Sequence, residues 1–141
     1  MPNKGTPKFI PALPGTVVPR LEVDTFFNDT GAALTAGDWV SLDLSSTDYG
    51  IGNSIKQAPA TANGPVAGVL LGALADQEWG EVLIWGITDI ANVATGVTAD
   101  KLLQMSATAG RAEETGATSE KSIGLVLVTA ADNVATVFVG M

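Results

Sequence analysis

The chain has 141 residues, of which 46% are hydrophobic and 16% charged, and its formal net charge at pH 7 is −8. It contains no cysteine and no histidine, which excludes disulfides, thiolate metal sites and a histidine general base. So acidic a protein repels nucleic-acid phosphates, and no apolar run is long enough to span a bilayer, so neither nucleic acid nor a membrane is an expected partner.

The first twenty residues differ from the rest of the chain in backbone and charge. They hold five of the seven prolines and three basic side chains without an acidic one, whereas the other 121 residues hold four basic and fifteen acidic side chains. Proline favours an extended backbone, and the apolar residues between the prolines need a surface to bury against. We therefore predict an extended N-terminal arm, which either folds over its own domain or lies along a partner.

The division expected from this pattern is an arm over residues 1–30 and a β-domain over residues 31–141. The N-terminal arm lacks the continuous apolar stretch of a signal peptide. The protein is therefore expected to be made in the cytoplasm and to stay inside the cell. The arm residues predicted to bind a partner are Lys4, Lys8, Phe9, Ile10, Leu13, Val17, Val18 and Arg20.

From residue 21 onward the chain alternates short apolar segments with turn signals, which predicts about ten strands and no long helix. In chain order the strand signals lie in "RLEVDTFF", "DWVSLDL", "IKQA", the hairpin "VAGVLLGAL…EVLIW", "ITDIANVA", "DKLLQMS", the polar segment around "GRAEE" and the final hairpin. "ALADQEWG" has room for one helical turn at most. The segments favour an all-β fold.

The two hairpins resemble each other, which predicts an internal repeat. Each has a glycine inside an apolar strand and an aspartate eight residues later, at Gly68 and Asp76 and at Gly124 and Asp132. "AGDWVSLD" and "TADKLLQM" match in the same way, so the halves are expected over residues 36–86 and 98–140. Glycine inside a strand marks a bend or a close backbone approach, so replacing Gly68 or Gly124 with valine should cost about 1 kcal/mol or more.

No arrangement of residues predicts an active site. The serines and threonines have no histidine to activate them, and the aspartates lack the spacing of a calcium-binding loop. No cofactor or metal is expected, and an enzyme is not expected. Trp39 and Trp85 are predicted to fill the core or an interface, whereas Trp79 lies at a turn and is the candidate contact residue.

The order of these segments resembles the head decoration, or cement, proteins of tailed bacteriophages. The resemblance rests on the "GD" strand, a polar stretch, the "GV" strand, a glycine turn and a closing strand that ends in glycine, present twice over residues 31–141. It implies a small barrel-like sandwich of the β-tulip type. It also implies a homotrimer on the outer surface of the virion capsid, which clamps neighbouring major capsid proteins.

Two other functions fit the residues. A carbohydrate-binding or adhesin module is suggested by Trp79, Tyr49 and the loops rich in Ser, Thr and Asn, and a phage tail structural subunit would use the same strand chemistry. If the protein is a trimer, its contacts are expected near the C-terminus, where the apolar edge-strand residues are Val134, Val137, Phe138 and Val139.

Overall fold

The computed structural model describes residues 21–46, 49–60, 66–115 and 122–140, and within them the fold is all-β, without helices. Its nine strands are β1 (Glu22–Asn28), β2 (Trp39–Leu42), β3 (Ser54–Gln57), β4 (Val66–Leu70), β5 (Trp79–Asn92), β6 (Leu102–Met105), β7 (Ala112–Glu114), β8 (Gly124–Ala131) and β9 (Val134–Val139). Two strands predicted separately are continuous in β5, because the polar and small residues after Trp85 continue to pair with β9.

The first half is a closed five-stranded barrel. Its strands lie in the order β1-β3-β2-β4-β5, and β5 closes the barrel by pairing antiparallel with β1 from Trp79 to Trp85. The barrel therefore begins with β1, which lies inside the range 1–30 assigned to the arm from sequence. The remainder of that arm, residues 1–20, lies outside the described residues.

The second half repeats the connectivity of the first. The C-terminal part of β5 continues into the order β5-β9-β8-β6-β7, and a parallel bridge between Val93 and Ala112 joins β7 back to the end of β5. β5 thus serves as the last strand of the first half and the first strand of the second. We call the halves repeat 1 and repeat 2.

The strand register confirms the predicted repeat. Val40 in β2 lies opposite Gly68 in β4, and Leu103 in β6 lies opposite Gly124 in β8. Each glycine lies close to the neighbouring strand: a Cβ on Gly68 would overlap the carbonyl oxygen of Leu83, and one on Gly124 would lie 2.6 Å from that of Phe138. The two glycines therefore occupy equivalent close approaches, as predicted.

One detail of the predicted repeat is shifted by a residue. Matching "GDW" to "ADK" pairs Asp38 with Asp100, but the register makes Lys101 the counterpart of Asp38. Gly37 is then the counterpart of Asp100, and both have a left-handed backbone, with φ of 88° and 66°. The shared feature is the turn conformation before the strand, which glycine and aspartate both adopt.

Two hydrophobic clusters form the core, and Trp39 joins the halves. The smaller cluster fills the barrel of repeat 1, and the larger contains the interior of repeat 2. Trp39 points outward from the repeat 1 barrel into the larger cluster, where it is fully buried and its Nε1 donates to the carbonyl of Asn92 at 3.0 Å. The prediction that Trp39 fills the core is confirmed.

Candidate functional site

The predicted contact residues fall into three groups in the structure. The eight arm residues lie outside the described residues, so their assignment stays a prediction. Trp79 is 47% exposed, as expected of a contact residue. Val137 and Val139 are buried in the core of repeat 2, which contradicts their prediction as contacts between subunits; their strand is central, paired with both β5 and β8.

An apolar row crosses the outer face of repeat 2, and we call it the open stripe. Opposed pairs run from strand to strand: Leu102 to Leu125, Leu125 to Phe138, and Phe138 to Ile87. Paired residues of neighbouring strands point to the same face, so the four side chains form one continuous surface. Ile87 is 38% exposed and the other three are partly exposed.

The counterpart of the open stripe in repeat 1 is covered except at Val23, which is 41% exposed. Its row consists of Trp39, Val69, Leu83 and Val23. Trp39, Val69 and Leu83 belong to the larger cluster and are buried against repeat 2. The same position is thus an internal interface in repeat 1 and a surface in repeat 2, among the described residues.

Trp85 extends the open stripe at one edge. Its ring meets that of Phe138 edge-on, with centroids 5.0 Å apart, and Trp85 itself is 41% exposed. It lies opposite Glu22, the first residue of β1, so the chain from residues 1–20 joins the domain beside this surface. Trp85 therefore does not fill the core, and its place in an interface stays a prediction.

A second exposed aromatic group lies at the far end of β1, and we call it the aromatic cluster. Phe27, Tyr49 and Trp79 contact one another, with centroid distances of 4.6, 5.4 and 5.1 Å. Phe27 is buried beneath the other two, whereas about half of each outer ring is exposed. Sequence reasoning named both Trp79 and Tyr49 for a carbohydrate-binding function, but it could not show that the loop after β2 brings the two rings into contact.

The described residues contain no group of three or more acidic side chains arranged to hold a metal ion. Nor do they include a helix long and apolar enough to cross a membrane.

The pKa values of two carboxylates are lowered by hydrogen bonds from nearby residues. The Ser45 hydroxyl and amide donate to Asp43 and lower its pKa, and the Thr98 hydroxyl and amide do the same for the pKa of Glu114. Both arrangements hold turns in place.

The Asp43 turn should make stability depend on acidity. Because the folded pKa of Asp43 lies below its ordinary value of 3.8, its contribution is present above that value and is lost as pH falls through the folded pKa. Asp43→Asn should therefore destabilise the protein at pH 7, and the deficit should be smaller at a pH below 3.8. Urea unfolding at both pH values measures it. Ser45→Ala should show the same trend, and an equal deficit at both pH values would contradict it.

Comparison with known proteins identifies a shared fold. No protein-family model and no curated protein sequence matches the chain. Among solved structures, the N base of the head fiber gp8.5 of bacteriophage phi29 superposes with a TM-score of 0.60, at 12% sequence identity, over 86% of this chain and 95% of that one. The two chains therefore share a fold, and this fold occurs in a protein of a phage head, in line with the resemblance to phage head proteins found in the sequence.

Proposed function

We propose that this chain is a structural virion protein that binds the outer surface of a phage capsid and stabilises it by bridging major capsid proteins. The observation that carries the proposal is the fold shared along nearly the whole length of a phage head fiber base. The sequence resemblance to head decoration proteins supports it independently, since it was drawn from the order of segments along the chain.

The physical character of the domain suits this task. A capsid-binding protein needs a rigid body and adhesive surfaces rather than chemistry. The closed barrel of repeat 1 removes free sheet edges there, and Trp39 ties the two repeats together through a shared core. These features support a structural protein rather than an enzyme.

We assign capsid contact to the arm and subunit contact to the open stripe. The apolar anchors Phe9, Ile10 and Leu13 would bury against the major capsid protein, and the prolines between them reduce the entropy lost on binding. The arm joins the domain beside Trp85, so a subunit interface on the open stripe would place several arms around one centre. That arrangement would bridge neighbouring capsid proteins.

Co-sedimentation tests the proposed function. The purified chain is mixed with undecorated heads, and separately with tails, of the phage that encodes it. Heads should carry the protein to saturation at a fixed number of copies, and tails should carry none. Binding to tails alone would replace this proposal with the tail-subunit function, and binding to neither would exclude both.

The proposed homotrimer gives a separate prediction. Ile87→Glu places a charge on the open stripe, where burial in an interface would leave that charge unpaired, so the variant should be a monomer. Leu44→Glu is the matched control, because Leu44 is also exposed but lies in the loop after β2. Multi-angle light scattering should give three subunits for the unaltered chain and for the control. A monomeric unaltered chain at high concentration would contradict the trimer.

A further inference from the structure

The aromatic cluster is present in only one of the two repeats. Trp79 opens β5 directly after a turn, and its counterpart at the start of β9 is Val134. Phe27 comes directly before Asn28, which pairs with Ile55 in β3. The counterpart of Phe27 in repeat 2 is Asn92, which comes directly before Val93, the residue that bridges to Ala112. Repeat 2 has the same strand connectivity without the three rings. The cluster is therefore an addition to the fold and not a requirement of it.

The loop that carries Tyr49 is also an addition. Equivalent residues of the two repeats are 63 positions apart before this loop, as Val40 and Leu103 are. After the loop they are 57 positions apart, as Ile55 and Ala112 are. The loop of repeat 1 is therefore six residues longer than the loop of repeat 2. The extra length places Tyr49 over Phe27 and next to Trp79. A longer loop increases the entropy cost of loop closure, and two large rings remain exposed to solvent. Neither feature stabilises the fold.

Hydrogen bonds hold the two sides of the cluster in fixed positions. The carboxylate of Asp29 accepts from Gln77, next to the Trp79 turn, at 2.7 Å and from Ser46, in the Tyr49 loop, at 2.9 Å. The buried side chain of Asn28 donates to the carbonyls of Leu74 and Ala75 in the same turn. The exposed rings thus belong to a preorganised surface, which lowers the ordering cost of binding a ligand.

The surroundings of the rings are rich in hydrogen-bond acceptors. Glu78 precedes Trp79, and Glu81 lies two residues further along on the same strand face, both of them exposed. Within the described part of the chain neither carboxylate has a hydrogen bond or an ion pair, so both are available to a ligand. Two aromatic faces at 66° with free acceptors beside them suit a ligand that has apolar C–H faces and many hydroxyl donors.

We propose that the aromatic cluster is a binding site for neutral saccharides. One face of a sugar ring would stack on Trp79 with Tyr49 against its edge, while Glu78 and Glu81 would accept hydrogen bonds from its hydroxyls. Anionic sugars would meet these carboxylates and be repelled, so the site selects against sialylated, uronic and phosphorylated glycans. This function is separate from capsid binding, because the aromatic cluster lies in repeat 1 whereas the open stripe crosses repeat 2.

The test is a glycan array that contains neutral and anionic saccharides, probed with the full chain and followed by titration of intrinsic tryptophan fluorescence. At least one neutral glycan should bind and no purely anionic one. Trp79→Ala and Tyr49→Ala should each weaken that binding by about tenfold or more. Val128→Ala is the matched control, because Val128 is also exposed but lies in β8, outside both the aromatic cluster and the open stripe; it should bind the glycan unchanged.

The outcomes separate this proposal from capsid binding. Tyr49→Ala removes a loop side chain, and circular dichroism and the melting temperature should show that the variant folds. Both cluster variants should still decorate heads as the unaltered chain does. Absence of any neutral ligand on the array, or unchanged glycan binding by both variants, would overturn the saccharide site. Loss of head binding instead would identify the cluster as a protein contact.

Discussion

Gly68→Val is expected to lower the free energy of unfolding by about 3 kcal/mol, more than the sequence alone predicted. Any side chain at this position begins with a Cβ that overlaps the carbonyl oxygen of Leu83 on the adjacent strand. Backbone cannot rotate away as a side-chain end can, so β4 and β5 would have to separate where Val69 pairs with Leu83. Gly124→Val should cost less, about 2 kcal/mol, because its clash with Phe138 is milder.

Gly72→Val is the matched control for this effect. A Cβ at Gly72 has no atom within 4 Å, and the residue lies exposed just after β4. Its effect on the free energy of unfolding should stay within roughly 0.5 kcal/mol of zero. Chemical unfolding followed by tryptophan fluorescence measures all three variants. If Gly68→Val were as mild as Gly72→Val, the close approach of Gly68 to the backbone of Leu83 would be contradicted.

Removal of residues 1–20 is expected to abolish capsid binding while the domain stays folded. The described residues from Leu21 onward contain a closed barrel and two buried hydrophobic clusters, which supports a body that is stable without the arm. A chain that begins at Leu21 should therefore keep its melting temperature within a few degrees. Its affinity for heads should fall by roughly a hundredfold or more, because each buried apolar anchor contributes about 1.5–3 kcal/mol.

Two arm variants show which residues carry the binding. Replacing Phe9, Ile10 and Leu13 together with alanine should reproduce most of the loss. Replacing Lys4 and Lys8 with glutamine should change affinity little, because exposed ion pairs contribute about 0–1 kcal/mol and are screened by salt. A truncated chain that still decorated heads fully would move the capsid contact to the domain. A truncated chain that unfolded would show that the arm covers its own core.

Much of the fold was predictable because its signals are local. Alternation of apolar and polar residues predicted the strands β1 and β2, although the structure buries both faces of β2. A glycine inside such a strand predicts a close approach, and two glycines in matching hairpins predicted the repeat. The fusion of two predicted strands into β5 was missed, since continuity depends on pairing with β9 and β1 rather than on residues within the strand.

The candidate sites were predictable only in part. Trp79 stands at a turn, so its exposure follows from sequence, whereas its contact with Tyr49 requires a loop and a strand 30 residues apart to meet. Val137 and Val139 show the opposite failure. Their apolar character indicated a surface for assembly, but β9 lies between two strands and its inward residues fill repeat 2. Hydrophobicity favours the burial of a side chain, but it does not show what that side chain packs against.

The sequence by itself determined the strand class, the internal repeat, the acidic domain and the basic, proline-rich arm, because composition and short-range periodicity act through neighbouring residues. Only the tertiary structure decided that β5 belongs to both repeats, that Trp39 is covered by repeat 2, and that its counterpart Leu102 lies on an open stripe. These outcomes depend on strands that pair across 42 residues (Asn92 to Val134) to 63 residues (Glu22 to Trp85). The same row is core in one copy and surface in the other because repeat 2 covers repeat 1, whereas no described residues cover repeat 2 in the same way.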